Sequence, residues 1–134
     1  MRRAEYDQLE QRFKVQFFNS VVGFKNVCLI GTQNKKGILN LAIFNSLVHI
    51  GSNPPLLGVI FRPDSVARHT YENILNSKEF TINLISEDDI AAAHQTSARY
   101  PSETSEFEAT GLSANFIDGF GAPYVASSAI SIGL

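Results

Sequence analysis

Apolar side chains at Tyr6, Leu9, Phe13 and Phe17 recur at steps of three and four, with Glu5, Asp7, Glu10 and Lys14 between them. That spacing predicts an amphipathic helix over residues 5–18. The period then changes: residues 27–32, 38–50 and 56–61 are β-rich runs. "TQNKKG" between the first two reads as a hairpin turn, because Asn34 and Gly37 tolerate positive φ. "GSNPP" separates the second and third, and Pro54 and Pro55, which lack an N–H donor, belong at a strand entry. Residues 70–77 form a short helical pattern with Thr70 as N-cap and Glu72 in the first turn. Residues 80–85, "FTINLI", are strand-like, and Ser86 followed by "EDD" caps a helix through Ala91, Ala92 and Ala93. "TSEFEATGL" reads as one more helical turn closed by Gly111, and Ile130, Ile132 and Leu134 stand at strand spacing.

The first three strands leave no room for helical crossovers, which argues against a doubly wound parallel sheet. The expected class is mainly β with helical insertions, an antiparallel β-barrel of the α+β type. No internal repeat or low-complexity linker divides residues 1–134, so one domain is expected. The last residues are apolar and strand-like, with no turn or polar cap after them. An open edge of that kind invites pairing. We expect either a partner chain over it or a C-terminally shortened form of a longer domain.

Composition adds exclusions. The chain is 44% hydrophobic and 18% charged, enough to build a core, and its 11 basic and 13 acidic residues are scattered along it. No basic patch points to nucleic acid and no polybasic run to a membrane surface. No run approaches the ~18 apolar residues of a membrane helix, and "MRRAEYDQLEQRF" has no signal-peptide core. A single cysteine, Cys28, in the apolar setting "NVCLIG", fits a reducing compartment and a small buried side chain. The expectation is a cytoplasmic protein.

Candidate chemistry gathers between residues 62 and 70. Arg62, Ser65, Arg68, His69 and Thr70 lie between a strand and a helix start. A helix N-terminus presents free N–H groups and positive potential, so such a loop either holds an anion or is a solvated connection with a Thr cap. In residues 40–50, "NLAIFNSLVHI", alternation breaks at Asn45 and Ser46, which either line a pocket or bond a neighbouring loop. Residues 93–108 read as an exposed helix end and loop, or as a lid over a flat ligand. His49, His69 and His94 have no second ligand at metal spacing, and no G-x-S-x-G, P-loop or G-x-G-x-x-G is present.

Taken in order, "NLAIFNSLVHIGSNPPLLGVIFRP", "RHTYENI", "EFTINLI" and "SEFEATGL" resemble the flavin reductase-like, FMN-binding split-barrel family, which includes flavoredoxins and ferric reductases. The combination covers nearly the whole chain. The resemblance implies that Arg62, Arg68, His69 and Thr70 hold the FMN phosphate. It brings the backbone near Asn45, Ser46 and Leu47 to the flavin, has Asn83 support the same pocket, and lets Gln95 and Ser97 reach the ring from the rim. Position 45 departs from the pattern, with Asn in place of a small Ser, and the family's further C-terminal strands are missing. The implied activity is an FMN-dependent NAD(P)H oxidoreductase working as a homodimer. A reduced nicotinamide is the transient donor, and the flavin carries the chemistry with no general acid or base and no metal. A flavin-binding electron carrier without its own nicotinamide site, and a shortened non-catalytic dimerisation module, are the alternatives.

Overall fold

A computed structural model describes residues 2–21, 23–62 and 67–134. Its strands pair antiparallel in three sheets. The largest has the order β2–β1–β5–β8, with β1 at Cys28–Gln33, β2 at Leu39–Phe44, β5 at Thr81–Leu84 and β8 at Ser131–Gly133. A hairpin joins β3 (Leu47–Ser52) to β4 (Pro55–Val59), and β6 (Ala114–Asn115) pairs with β7 (Tyr124–Val125). The helices are α1 (Arg3–Asp7), α2 (Gln11–Val21), α3 (His69–Ser77), α4 (Ile90–Gln95) and α5 (Glu106–Thr110), with a 3₁₀ turn at Glu87–Asp89. This is the expected mixed α+β, antiparallel class.

Strand alternation sorts the core into two layers. Leu29 of β1 and Leu41 of β2 pack with Ala93, Phe107, Leu112 and Val125 on the face covered by α4 and α5. Cys28, Ile30 and Ile82 point the other way, against Phe44, Leu47, Val59 and Ile74, under the β3–β4 hairpin and α3. Burial pushes the Cys28 thiol up to about 11, so it is an inert core group.

Four local expectations change. The N-terminal pattern breaks into α1 and α2, and the break folds Tyr6 back onto Phe18, ring centroids 5.3 Å apart. The run over residues 38–50 is two strands, β2 and β3, with Asn45 and Ser46 at their junction. In the β1–β2 turn only Gly37 has positive φ, at 82°. Asn34 instead closes the turn with its side chain, whose Oδ1 accepts the N–H groups of Lys36 (2.9 Å) and Ile38 (3.0 Å). Ser86 precedes the 3₁₀ turn, but its hydroxyl donates to the Asp89 carboxylate rather than capping the backbone. Gly111 is the left-handed C-cap of α5, as its sequence predicts.

Candidate functional site

The expected anion loop leaves β4 along residues 60–62 and re-enters at α3. Phe61 is held between Phe44 at the end of β2 and Tyr71 of α3, each ring centroid 5.2 Å away. Arg62, the next residue, is exposed. Residues 63–66, and with them Ser65, lie outside the described residues.

Arg68, not Thr70, is the N-cap of α3. The first intrahelical bond runs from Glu72 N–H to the Arg68 carbonyl, 3.0 Å. The N–H groups of His69, Thr70 and Tyr71 therefore have no carbonyl to serve within the helix. Arg68 and His69 are half-buried there, at the positive end of the helix dipole. Thr70, two positions into the helix, turns inward because β2 offers it a partner. Its hydroxyl accepts Asn40 Nδ2 at 2.9 Å, and the same amide donates to Thr32 at 3.1 Å. Asn73, one turn on, also donates to Thr32, 3.1 Å. Thr32, Asn40, Thr70 and Asn73 are all buried, so this network fixes the α3 N-terminus against β1 and β2.

Alongside lies an open cleft of about 270 Å³ between the β1–β2 turn, α3 and the loop after α4. Lys35 and Lys36 stand on the turn side, His69, Glu72 and Asn73 on the helix side, and Ser102 and Thr104 on the loop side. The Ser102 hydroxyl and the backbone N–H of Glu103 itself hold the Glu103 carboxyl below its ordinary range, with smaller contributions from Lys36 and His69. Of the residues expected at the site, His69 lines this cleft directly, and Thr70 acts on it through Asn40.

The other expected residues do not line this cleft. Asn45 is exposed, and Ser46 donates to the Ile60 carbonyl at 2.8 Å, tying the β2–β3 junction to the strand that leads into Arg62. Leu47 opens β3 opposite Val59 and packs on the core layer beneath the hairpin. Asn83 is fully buried in a different network. Its Nδ2 donates to the Leu29 carbonyl and to Thr81, and its Oδ1 accepts Val125 N–H at 3.0 Å and the Ser131 hydroxyl at 2.8 Å. It clasps β5 to β7 and β8 and presents nothing to the α3 cleft. Gln95 donates to the Tyr100 hydroxyl at 3.2 Å and Ser97 to the His94 carbonyl at 2.7 Å, both exposed and both spent within their own segment.

One residue that sequence reasoning passed over sits at the other flank. Glu106 is buried, and its carboxylate accepts the Leu41 N–H at 3.0 Å. β2 is the edge of its sheet, so an N–H facing outward under α5 needs an acceptor, and Glu106 supplies it. The signal was present in "SEFEATGL", where an acidic residue opens a helix one step before the core side chain Phe107.

Residues 24–133 match the flavin reductase like domain family. An uncharacterized protein of Aquifex aeolicus (strain VF5) is 33% identical over 104 residues, which cover 76% of this chain and 53% of that protein. A split-barrel-domain protein of the flavin reductase type from Shewanella frigidimarina NCIMB 400 superposes with a TM-score of 0.92 at 45% identity, covering 98% of this chain and 65% of its own. Nitrilotriacetate monooxygenase component B from Bacillus cereus shares the fold, with a TM-score of 0.83 at 23% identity over 95% of this chain and 63% of that one. The chain thus spans between half and two-thirds of the length of these relatives. Among the described residues no helix is long and apolar enough to cross a membrane, and no group of His, Cys, Asp and Glu forms a metal site.

Proposed function

The chain belongs to the flavin reductase-like domain family, and from that membership we propose that residues 1–134 act as a single FMN-binding oxidoreductase domain taking electrons from a reduced nicotinamide. The observation that carries the reading is the start of α3. N–H groups that no helix carbonyl uses, together with Arg68 and His69, stand there beside a buried network that fixes the helix start. That donor set fits a phosphate: it is cationic, it donates, and it stands at a helix N-terminus. Arg62, the residue after Phe61, adds a second guanidinium. Thr70 braces the site by accepting from Asn40, and its own hydroxyl hydrogen and backbone N–H complete the expected donor set.

When bound, FMN supplies the hydride and electron chemistry. The chain's own residues bind and orient. Arg62, Arg68 and His69 hold the phosphate end, and the β2–β3 junction at Asn45, Ser46 and Leu47 runs alongside with its backbone set by the Ser46–Ile60 bond. Asn83 supports this arrangement from a distance by clasping the sheet. Gln95 and Ser97 form part of the rim, their side chains tied down locally. A micromolar site needs about 8 kcal/mol. Two or three charge-assisted hydrogen bonds at roughly 1.5–3 kcal/mol each supply much of that, and ring burial the rest.

The reading includes a cytoplasmic homodimer. The β3–β4 hairpin leaves Val48, Ile50, Leu56 and Leu57 exposed, and a second copy would cover them. The test is a visible absorption spectrum before and after FMN is added and dialysed away, repeated with Arg68→Ala. Retained yellow colour in the parent chain, with weaker retention in the variant, is expected. Anaerobic NADH or NADPH should then bleach it. A chain that holds no FMN at micromolar concentration overturns the reading.

A further inference from the structure

We propose that the cleft between the β1–β2 turn and α3 binds an adenosine 5′-phosphate group, the part an adenine dinucleotide carries beyond its flavin or nicotinamide. The proposal extends the cofactor reading above to a second part of the cofactor. Its first support is the fixed polarity of the cleft floor. Asn40 spends Nδ2 on Thr32 and Thr70, and Asn73 spends one Nδ2 N–H on Thr32. Asn40 therefore keeps only its carbonyl Oδ1 for a ligand, while Asn73 keeps its Oδ1 and one N–H. Asn40 and Asn73 are 7% and 6% exposed, and both line the cleft. Among the described residues only Ser105 Oγ is fully enclosed without a partner, so these two oxygens stay open to the cleft as acceptors. Glu72, exposed beside Asn73 on α3, also lines the cleft and adds a carboxylate.

An acceptor floor next to a carboxylate selects a ligand rich in hydroxyl and amine donors. A ribose diol is such a group, and an acidic side chain on the ribose 2′-hydroxyl is a recurring way to hold it. The same carboxylate repels a 2′-phosphate. Opposite the floor, Lys35 and Lys36 project from the turn. Asn34, whose Oδ1 is taken by two backbone N–H groups, leaves Nδ2 as a further donor on that rim. The acceptors thus match the ribose, and the turn matches the 5′-phosphate. At about 270 Å³ the cleft lies just under the roughly 300–1,000 Å³ of whole-ligand pockets, which suits one end of a dinucleotide.

The experiment is calorimetric titration of the full chain and of Lys35→Ala/Lys36→Ala with 5′-AMP, 2′-deoxy-AMP, FMN, FAD, NADH and NADPH. Both lysines are exposed on a turn closed by Asn34, so the double variant keeps the fold. We expect AMP to bind the parent chain, 2′-deoxy-AMP to bind more weakly, and the double variant to lose about tenfold or more for AMP, the scale of a charge-assisted contact. FMN affinity should be equal in both proteins. The dinucleotide whose affinity falls with that of AMP is the source of the group, and a preference for NADH over NADPH follows if it is the nicotinamide. No AMP binding, or FAD and NADH affinities unchanged by the double substitution, overturns the proposal. AMP binding without FMN binding sinks the flavin reading and leaves this one standing.

Discussion

Glu106 carries a cost that the fold accepts for the sake of one backbone group. Burial raises its carboxyl above the ordinary value of 4.5, and the Leu41 and Glu106 N–H groups and the nearby His69 only partly offset that. The folded chain therefore holds this proton in a pH window where the unfolded chain has lost it. The group's contribution to stability is full below the ordinary value and declines as pH rises through the folded one. Asp89 works in the opposite window: hydrogen bonds from Ser127 and Ser86 lower its carboxyl, so its contribution is lost only as pH falls below the ordinary range. Glu106→Gln keeps an oxygen for Leu41 and removes the charge. Urea unfolding should show that variant gaining on the parent chain as pH rises from about 4.5 toward neutrality, whereas Glu106→Ala, which strands a buried N–H, should lose about 1–3 kcal/mol at low pH, where the parent keeps its full contribution. A Gln variant that tracks the parent across that range would mean the carboxyl titrates normally. Sequence hid this residue because an acidic helix start looks the same whether it faces solvent or a strand edge. Thr70 misled for a related reason: an N-cap and an inward brace differ only in whether Asn40 stands across from it.

Strands were more legible than the roles of their polar residues. Alternation located β1, β4 and β5 to within a residue or two, because one-sided burial leaves a period of two that sequence displays. The division of residues 38–50 into β2 and β3 was not visible, since it depends on Ser46 finding the Ile60 carbonyl on a strand fourteen residues later. Asn83 shows the same limit. "FTIN" marks a strand amide, yet only the tertiary arrangement reveals that its partners lie on β1, β7 and β8. Two substitutions test this clasp. Asn83→Ala strands a buried Val125 N–H and removes the Ser131 tie, and should cost about 3 kcal/mol. Gly31→Ala places a Cβ into the Pro123 carbonyl and 2.6 Å from Thr81 Oγ1, and should cost about 1–3 kcal/mol by overpacking. Chemical denaturation measures both. A Gly31→Ala chain as stable as its parent would show that the segment leading into β7 does not sit on β1.

Across the whole molecule, structure and surface divide near residue 27. Both core layers are built from Cys28 onward, while α1 and α2 bury none of their residues. The aromatic rings of α1 and α2 pack on one another, Phe13 on Phe17 and Phe17 on Phe18, and still leave Phe13 and Phe18 about half exposed. Their periodic pattern predicted one amphipathic helix, and periodicity reports amphipathicity without saying which surface receives the apolar stripe. If these helices stand free in solution, a chain lacking residues 2–21 should keep the parent's thermal midpoint, since no core contact is removed. If they instead lie on a second copy, beside the exposed β3–β4 hairpin, the same deletion should lower the midpoint and shift gel filtration toward a monomer. Because only an assembled chain has a concentration-dependent midpoint, melting the parent at two concentrations tenfold apart separates the cases. We expect the dependence to be present in the parent and lost in the shortened chain. A concentration-independent parent melt would remove the homodimer from the functional reading while leaving the proposed phosphate site at the start of α3, whose candidate residues belong to one chain, untouched.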